Sequence, residues 1–541
     1  MVTSIDRPVR WRPLQFQLIL PPSLRFSTPR AGMALLQMDP HVSPSSCRAW
    51  PALTVVALAT LLAGCIGTGH NAPQAQRLDD QALATDAAIR AAAGQAAWPE
   101  RQWWRAYGDP QLNAWITGAL ADNPRLATAA ARVRRAESLA GLAESREALQ
   151  VEAKGAFKRY SWPTDGFYGP GELSDRTTWN NNAELGLSYA LDFWGRERDA
   201  SAQALDQAHQ AAAEVRAAEL ELTGNIVRSY IGFALHHDQR DILAATLEQQ
   251  RQLADLAQRQ LDGGLGTQFE VSQARALLPE TERQLEALDE TLALDRNQLA
   301  ALAGKGPGAG ARLQRPRLTL GAAPRLPSRL PLELVGKRPD VVARRWQIAA
   351  AAKGVDVARA SFYPNIDLVA NVGQFLTLGR LSEMLTHAKT GSFIGPAFSL
   401  PIYDGGALRS RLGAESAAYD LAVSAYNQTL VDALKDISDA LIKADSAAKQ
   451  ATLADQASQE AQRTYDIARE AFRRGLTDYL HVLDAQTRLF AQQRVTAQVH
   501  ALRLAAQAGA LVALGGGADL ERGPADQDLV PARVAVERAA R

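Results

Sequence analysis

Leu62-Ala63-Gly64-Cys65 is where residue type and spacing point most directly to a covalent reaction. It closes an apolar run from Ala52 to Ile66 that has Arg48 on its N-terminal side. The run is too short for the roughly 20 apolar residues that span a bilayer, and it has the length of a signal-peptide core. Small residues ahead of a cysteine fit a signal-peptidase cleft, and the thiol is acylated before cleavage. The pattern has the form of a lipobox, the alternative being a buried helix that happens to contain a cysteine. Residues 1–64 are therefore expected to be a signal peptide, with Met33 or Met38 a more natural start than Met1. Cys47 leaves with it, and Cys65 becomes a lipidated N-terminus. Several acyl chains on one residue hold a protein durably to a membrane. Ile66 stands where an aspartate would favour inner-membrane retention, which points to outer-membrane lipid.

Other chemistry is weaker. His481 and Asp484 share a helical face but supply only two metal ligands, and His236-His237 point to different faces. Gly304-Lys305-Gly306-Pro307-Gly308 lacks the spacing and hydroxyl of a phosphate loop. No nucleophile–base pair stands out, so no catalytic residue, metal or cofactor is expected, and the chain is not expected to be an enzyme. Two cysteines cannot build a disulfide scaffold. Lysine plus arginine number 59 against 58 acidic residues, a balance that argues against nucleic acid as a partner. A hydrophobic content of 47% excludes wholesale disorder, and 6% aromatics in an alanine-rich chain favours closely packed helices.

The elements that would position any site come in two sets. Asn123-Pro124-Arg125-Leu126 is echoed by Arg338-Pro339-Asp340-Val341, and Gly264-Leu265, with Val271 and Ala274, by Gly475-Leu476, with Val482 and Ala485. Trp194-Gly195-Arg196 is answered by Tyr403-Asp404-Gly405-Gly406. Echoes in the same order, about 210 residues apart, indicate a tandem duplication. The expected organisation is a first repeat over 65–303, a Gly- and Pro-rich linker over 304–331, a second repeat over 332–517, and a disordered tail over 518–541. Proline is absent between Pro170 and Pro279 and between Pro401 and Pro524, which permits very long helices. One such stretch, Arg196 to Asp262, would extend roughly 100 Å. Val271, Leu278, Leu285, Leu292 and Leu299 fall at seven-residue spacing, a coiled-coil seam.

Four segments break the helical period. Ala183 to Phe193 and Ile394 to Ile402 alternate apolar and small or polar residues, and Val151 to Tyr160 and Ile366 to Phe375 do so more weakly. Each has about the ten residues a tilted membrane-barrel strand needs. Tyr160, Trp162, Phe167, Tyr168 and Trp179 are expected beyond the strands and Trp194 at the helix junction, where rings favour the membrane–water boundary. The alternative is a small soluble sheet. Four strands cannot close a barrel in lipid, so the chain must pool strands with identical copies. Three copies would supply twelve strands; two remain possible from these residues alone.

The order Cys65, Trp103-Trp104, Gly108-Asp109-Pro110, helix, strand pair, long helices, then the unit again, resembles the TolC-type outer-membrane efflux channels, and within them the lipidated NodT-type subgroup. The junctions Leu191-Asp192-Phe193-Trp194-Gly195-Arg196 and Leu400-Pro401-Ile402-Tyr403-Asp404-Gly405-Gly406, with Val482-Leu483-Asp484-Ala485-Gln486, carry the likeness. The resemblance implies a mixed α/β membrane protein: a homotrimer with a twelve-stranded transmembrane β-barrel continued by a long α-helical barrel in the periplasm. It implies a periplasmic adaptor (a membrane fusion protein) and an inner-membrane RND-type pump as partners, with passive efflux of small molecules. A tunnel for type I protein secretion and a non-channel periplasmic coiled-coil lipoprotein are the alternatives. The resemblance also puts a periplasmic gate beyond the helix-turn tips Gly264, Leu265, Gly475 and Leu476. Leu480 and Asp484 would form apolar and acidic rings, with Glu270 in the gate network. Phe472 replaces a gate tyrosine, Thr477 an arginine and His481 a second aspartate of some relatives. The tip is then expected to be held more by packing and less by salt bridges.

Overall fold

Polar residues ahead of prolines set where the first helices begin. Asp109 accepts from the Gln111 and Leu112 amides at 2.8 and 3.4 Å, and Pro110, without an amide, takes the first position of α1 (Pro110–Asp122). Asn123 repeats the device on the Arg125 amide at 2.8 Å, ahead of α2 (Pro124–Glu144). The computed structural model describes residues 71–79, 89, 98–163, 177–319, 337–376, 390–517 and 531, all within the unit Ile66–Arg541. The expected signal peptide with Cys47, Cys65, Phe167 and Tyr168, the linker beyond residue 319 and nearly all of the tail lie outside the described residues.

After α2 come β1 (Gln150–Ser161), β2 (Thr177–Ala190), α3 (Arg196–Asp262) and α4 (Gln268–Leu302). The second set is α5 (Pro339–Ala360), β3 (Asn365–Leu376), β4 (Thr390–Ser399), α6 (Ala407–Arg473) and α7 (Tyr479–Ala513). The duplication holds at the level of the elements: α3 and α6 each have 67 residues, and α4 and α7 each have 35. α4 packs on α3 along the expected seam, with Val271, Leu292 and Leu299 buried and Leu278 and Leu285 half-buried. Pro279 sits on the exposed side of α4, so the helix runs through it. α5 lies against both α3 and α6, burying Val341, Ile348 and Val355 with Tyr419, Val423 and Tyr426.

The four strands form one antiparallel sheet in the order β1-β2-β3-β4. β2 and β3 pair across the two repeats, Leu185 facing Val372. β1 and β4 form its two edges. The strand limits differ from the alternation in the sequence. β2 and β4 begin at Thr177 and Thr390, earlier than expected, so Trp179 lies within β2, and Tyr160 lies within β1 rather than beyond it. They also end earlier, at Ala190 and Ser399. The Leu191 amide still reaches Ile366 O at 2.9 Å, but the Phe193 amide turns back to Leu191 O at 2.7 Å and leaves the sheet.

An extended strap, Asn71 to Asp79, runs along α6. Asp420 accepts from the Gln74 and Ala75 amides at 2.9 and 2.8 Å. Asn427 accepts from the Leu78 amide and donates to Gln76 O, both at 2.9 Å.

Candidate functional site

At one end of the long helices are two tight turns. Gly264 follows α3 at φ 73° and Gly475 follows α6 at φ 70°, left-handed backbone that glycine adopts without a Cβ penalty. The Leu265 amide then donates to Gln260 O at 2.8 Å and the Leu476 amide to Ala471 O at 2.9 Å, satisfying carbonyls the helices leave open. Both leucines project outward, 87% and 75% exposed. Thr267 starts α4 with a capping box: its hydroxyl accepts from the Glu270 amide at 3.3 Å and Glu270 Oε2 accepts from the Thr267 amide at 2.7 Å. Asp478 starts α7, accepting from the His481 amide at 3.1 Å with the His481 ring nitrogen 2.6 Å from the same oxygen.

Beneath the turns, Phe472 packs on Tyr479 with ring centroids 6.0 Å apart, among Leu253, Ala274, Val482 and Leu489. Phe472 is 5% exposed, and burial raises the Tyr479 phenol pKa above its ordinary value. The sequence-predicted residues divide between this core and the outer surface. Leu480, His481 and Asp484 stand exposed on one side of α7, Thr477 is half-exposed in the turn, and Glu270 is half-exposed on α4. His481 and Asp484 are not joined: His481 is engaged by Asp478, and Asp484 pairs with Arg488 at 3.0 Å. The ring of His481 and its amide hold the Asp478 carboxyl below the usual aspartate range. His236 and His237 also diverge, His236 to Asp295 at 2.6 Å and His237 onto the Phe233 ring. Among the described residues, no three His, Cys, Asp or Glu side chains gather where they could hold a metal.

At the other end, sheet becomes helix twice. Gly195 (φ 74°) and Gly406 (φ 94°) turn the chain into α3 and α6, with Gly405 also left-handed. Trp194 stacks on Tyr363 at 4.6 Å and donates to Pro364 O at 2.9 Å, while Arg196 reaches Asn365 at 3.2 Å and pairs with Glu197 at 2.7 Å. Tyr403 is 90% exposed. The junction motifs in the sequence contain the carboxylates that make these corners, but their capping role was not read from it. Asp192 accepts from the Arg198 amide at 2.9 Å, and Asp404 from the Gly406 and Leu408 amides at 2.9 and 2.6 Å. Those amides, Leu408 first, lower the Asp404 pKa. An Asp shortly before glycine at the end of an alternating stretch is the signal that could have found both. Arg488 was missed as well; an arginine four residues after Asp484 on one helix is its signal.

No helix among the described residues is long and apolar enough to cross a membrane. The sheet has one face rich in exposed apolar side chains, among them Val151, Leu185, Val372, Ile394 and Phe398.

A family model described as outer membrane efflux protein matches residues 115–305 and 330–517. The chain is 50% identical over 366 residues to the fusaric acid resistance protein FusA of Burkholderia cepacia, covering 68% of this chain and 69% of that one. It is 30% identical over 485 residues to the multidrug resistance outer membrane protein MdtP of Escherichia coli (strain K12), covering 86% and 96%. Among solved structures, the outer membrane protein VceC from Vibrio cholerae aligns with a TM-score of 0.72 at 31% identity, covering 78% of this chain and all of that one.

Proposed function

The chain belongs to the outer membrane efflux protein family, and from that premise we propose that three copies form an outer-membrane channel, the last component of a tripartite efflux system. A periplasmic adaptor and an inner-membrane RND-type pump deliver small molecules to it, and it conducts them passively to the exterior, with no covalent step of its own. The relatives' names, fusaric acid resistance and multidrug resistance, make small toxic organic molecules the cargo of this reading.

One observation carries it: a four-stranded sheet with an apolar face and two edges, β1 and β4, that pair with no further strand among the described residues. In lipid, each edge would leave a row of amides and carbonyls without hydrogen bonds, at several kcal/mol per group. Edge-to-edge closure of three sheets satisfies both rows and gives twelve strands. The long helices then continue beneath, and their turns meet at the far end.

The gate reading assigns the exposed Leu480 and Asp484 to that end, where threefold symmetry makes an apolar ring and an acidic ring; Glu270 joins them. Carboxylates at a narrow point attract cations and repel anions. The repeats run over 65–303 and 332–517 with a linker over 304–331. Acylation of Cys65 fits the strap, because Asn71 donates to Arg409 O at 2.9 Å in the first turn of α6. Six further residues reach at most about 20 Å, which keeps Cys65 within that distance of the sheet–helix corner.

Fractionation and gel analysis test the proposal. Heat-resistant trimers in the outer membrane, with loss of resistance to toxic compounds on deletion, are expected. A monomer in the soluble periplasmic fraction would overturn it.

A further inference from the structure

The two faces of the sheet differ in charge as sharply as in hydropathy. Val151 stands opposite Leu187, Leu185 opposite Val372 and Ala370 opposite Ile394, so the apolar side chains share one face. Among the charged residues of the described strands, only Arg159 shares it. Glu152, Lys154, Lys158, Glu184 and Asp367 all point to the other side, which in a closed barrel is the lumen.

Three of them are knitted together. Lys154 stands directly across from Glu184, and its ammonium lies 2.9 Å from Glu152. Half-buried Glu184 accepts from Asn371 Nδ2 at 2.9 Å, across the seam between the repeats. Gly373 faces Glu184 from β3, and a Cβ there would come within 2.7 Å of the Glu184 Cβ. Glycine at this position lets Glu184 lie against the neighbouring strand rather than swing free.

We propose that the Glu152–Lys154–Glu184 cluster, pinned by Asn371 and repeated threefold, forms a fixed-charge annulus inside the β-barrel that favours cations over anions, separate from the helical tip. The inference rests on the trimeric-barrel reading. Two carboxylates and one ammonium leave one negative charge per copy. Because the charges line a wide wall, their reach depends on salt: the screening length is about 30 Å at 0.01 M and about 10 Å at 0.1 M.

Reversal potentials in planar bilayers under a KCl gradient read this directly. An Asp484→Ala background relieves the tip and lets the barrel set a larger share of the selectivity. In it, Glu184→Gln should lower the K⁺/Cl⁻ permeability ratio and Lys154→Gln should raise it. Each change should be about two-fold at 10 mM salt and fade at 1 M. Opposite signs cannot come from general loosening of the barrel. No shift from either substitution, or shifts in the same direction, would overturn the annulus while leaving the channel reading intact. If the wild-type chain forms no channels at all, the barrel reading fails and takes the annulus with it.

Discussion

Asp109 ties three parts of the protein together through one buried carboxylate. It caps α1 and accepts from the Tyr230 hydroxyl at 2.9 Å on α3 and from the Arg317 amide at 2.8 Å after α4. Asp109→Ala removes a cap and leaves buried donors unpaired, an expected loss of about 2–4 kcal/mol. The melting temperature of the detergent-purified protein should fall by several degrees; an unchanged melt would contradict this role. At the tip, Asp484 and Arg488 are both exposed, and a surface pair of this kind contributes at most about 1 kcal/mol. Asp484→Ala should therefore leave stability nearly unchanged but raise single-channel conductance, and an unaltered conductance would remove Asp484 from the gate. Glu270 serves a cap as well, so two substitutions separate its roles. Glu270→Ala should cost α4 about 1 kcal/mol, whereas glutamine keeps the capping box. A conductance rise with Glu270→Gln supports a gate charge; a rise with alanine alone reduces Glu270 to capping. The exposed gate candidates could be found from motif and spacing. The hydrogen bonds of Glu270 and Asp478 could not be weighed, because a capping box and a gate ring ask for the same residue type.

Elements were easier to read than their ends. Proline-free tracts and seven-residue spacing reported α3, α4 and the α6 stretch, since periodicity sums over many residues. The strand limits depended on where neighbouring strands stop pairing, which a single strand does not encode. The strap was invisible for a similar reason: Asp420 and Asn427 read backbone groups about 345 residues away in sequence, and every residue offers the same groups. Two outcomes follow for these elements. Replacing the left-handed Gly475 by alanine should cost about 1 kcal/mol and speed hydrogen exchange in the α6–α7 turn, with distant amides unchanged. Asp478 carries a lowered pKa in the folded chain, so its cap is fully present above the unfolded aspartate value of about 3.9 and is lost as pH falls through the lowered one. Protection of the first turn of α7 should hold at pH 5 and weaken only in stronger acid. Weakening near pH 6 would point to a different group.

In the whole molecule, the sheet edges are what one chain offers to its copies. Its helices share buried cores at the tip, between α5 and α6 and between α1 and α3, and they also leave Leu205, Leu421, Leu453 and Ile467 exposed. The sheet adds an apolar face that is exposed and two edges that pair with no strand among the described residues. Sequence periodicity supplied four strands, echoed motifs supplied the two-repeat plan, and the count of strands required by lipid called for several copies; their number came from family likeness. The most direct measurement is imaging of the detergent-purified protein by single-particle electron microscopy. Threefold particles in which β4 of each copy pairs with β1 of the next, closing twelve strands, are predicted. Single chains that stay soluble without detergent, with both hairpins folded onto their own helices, would contradict the account.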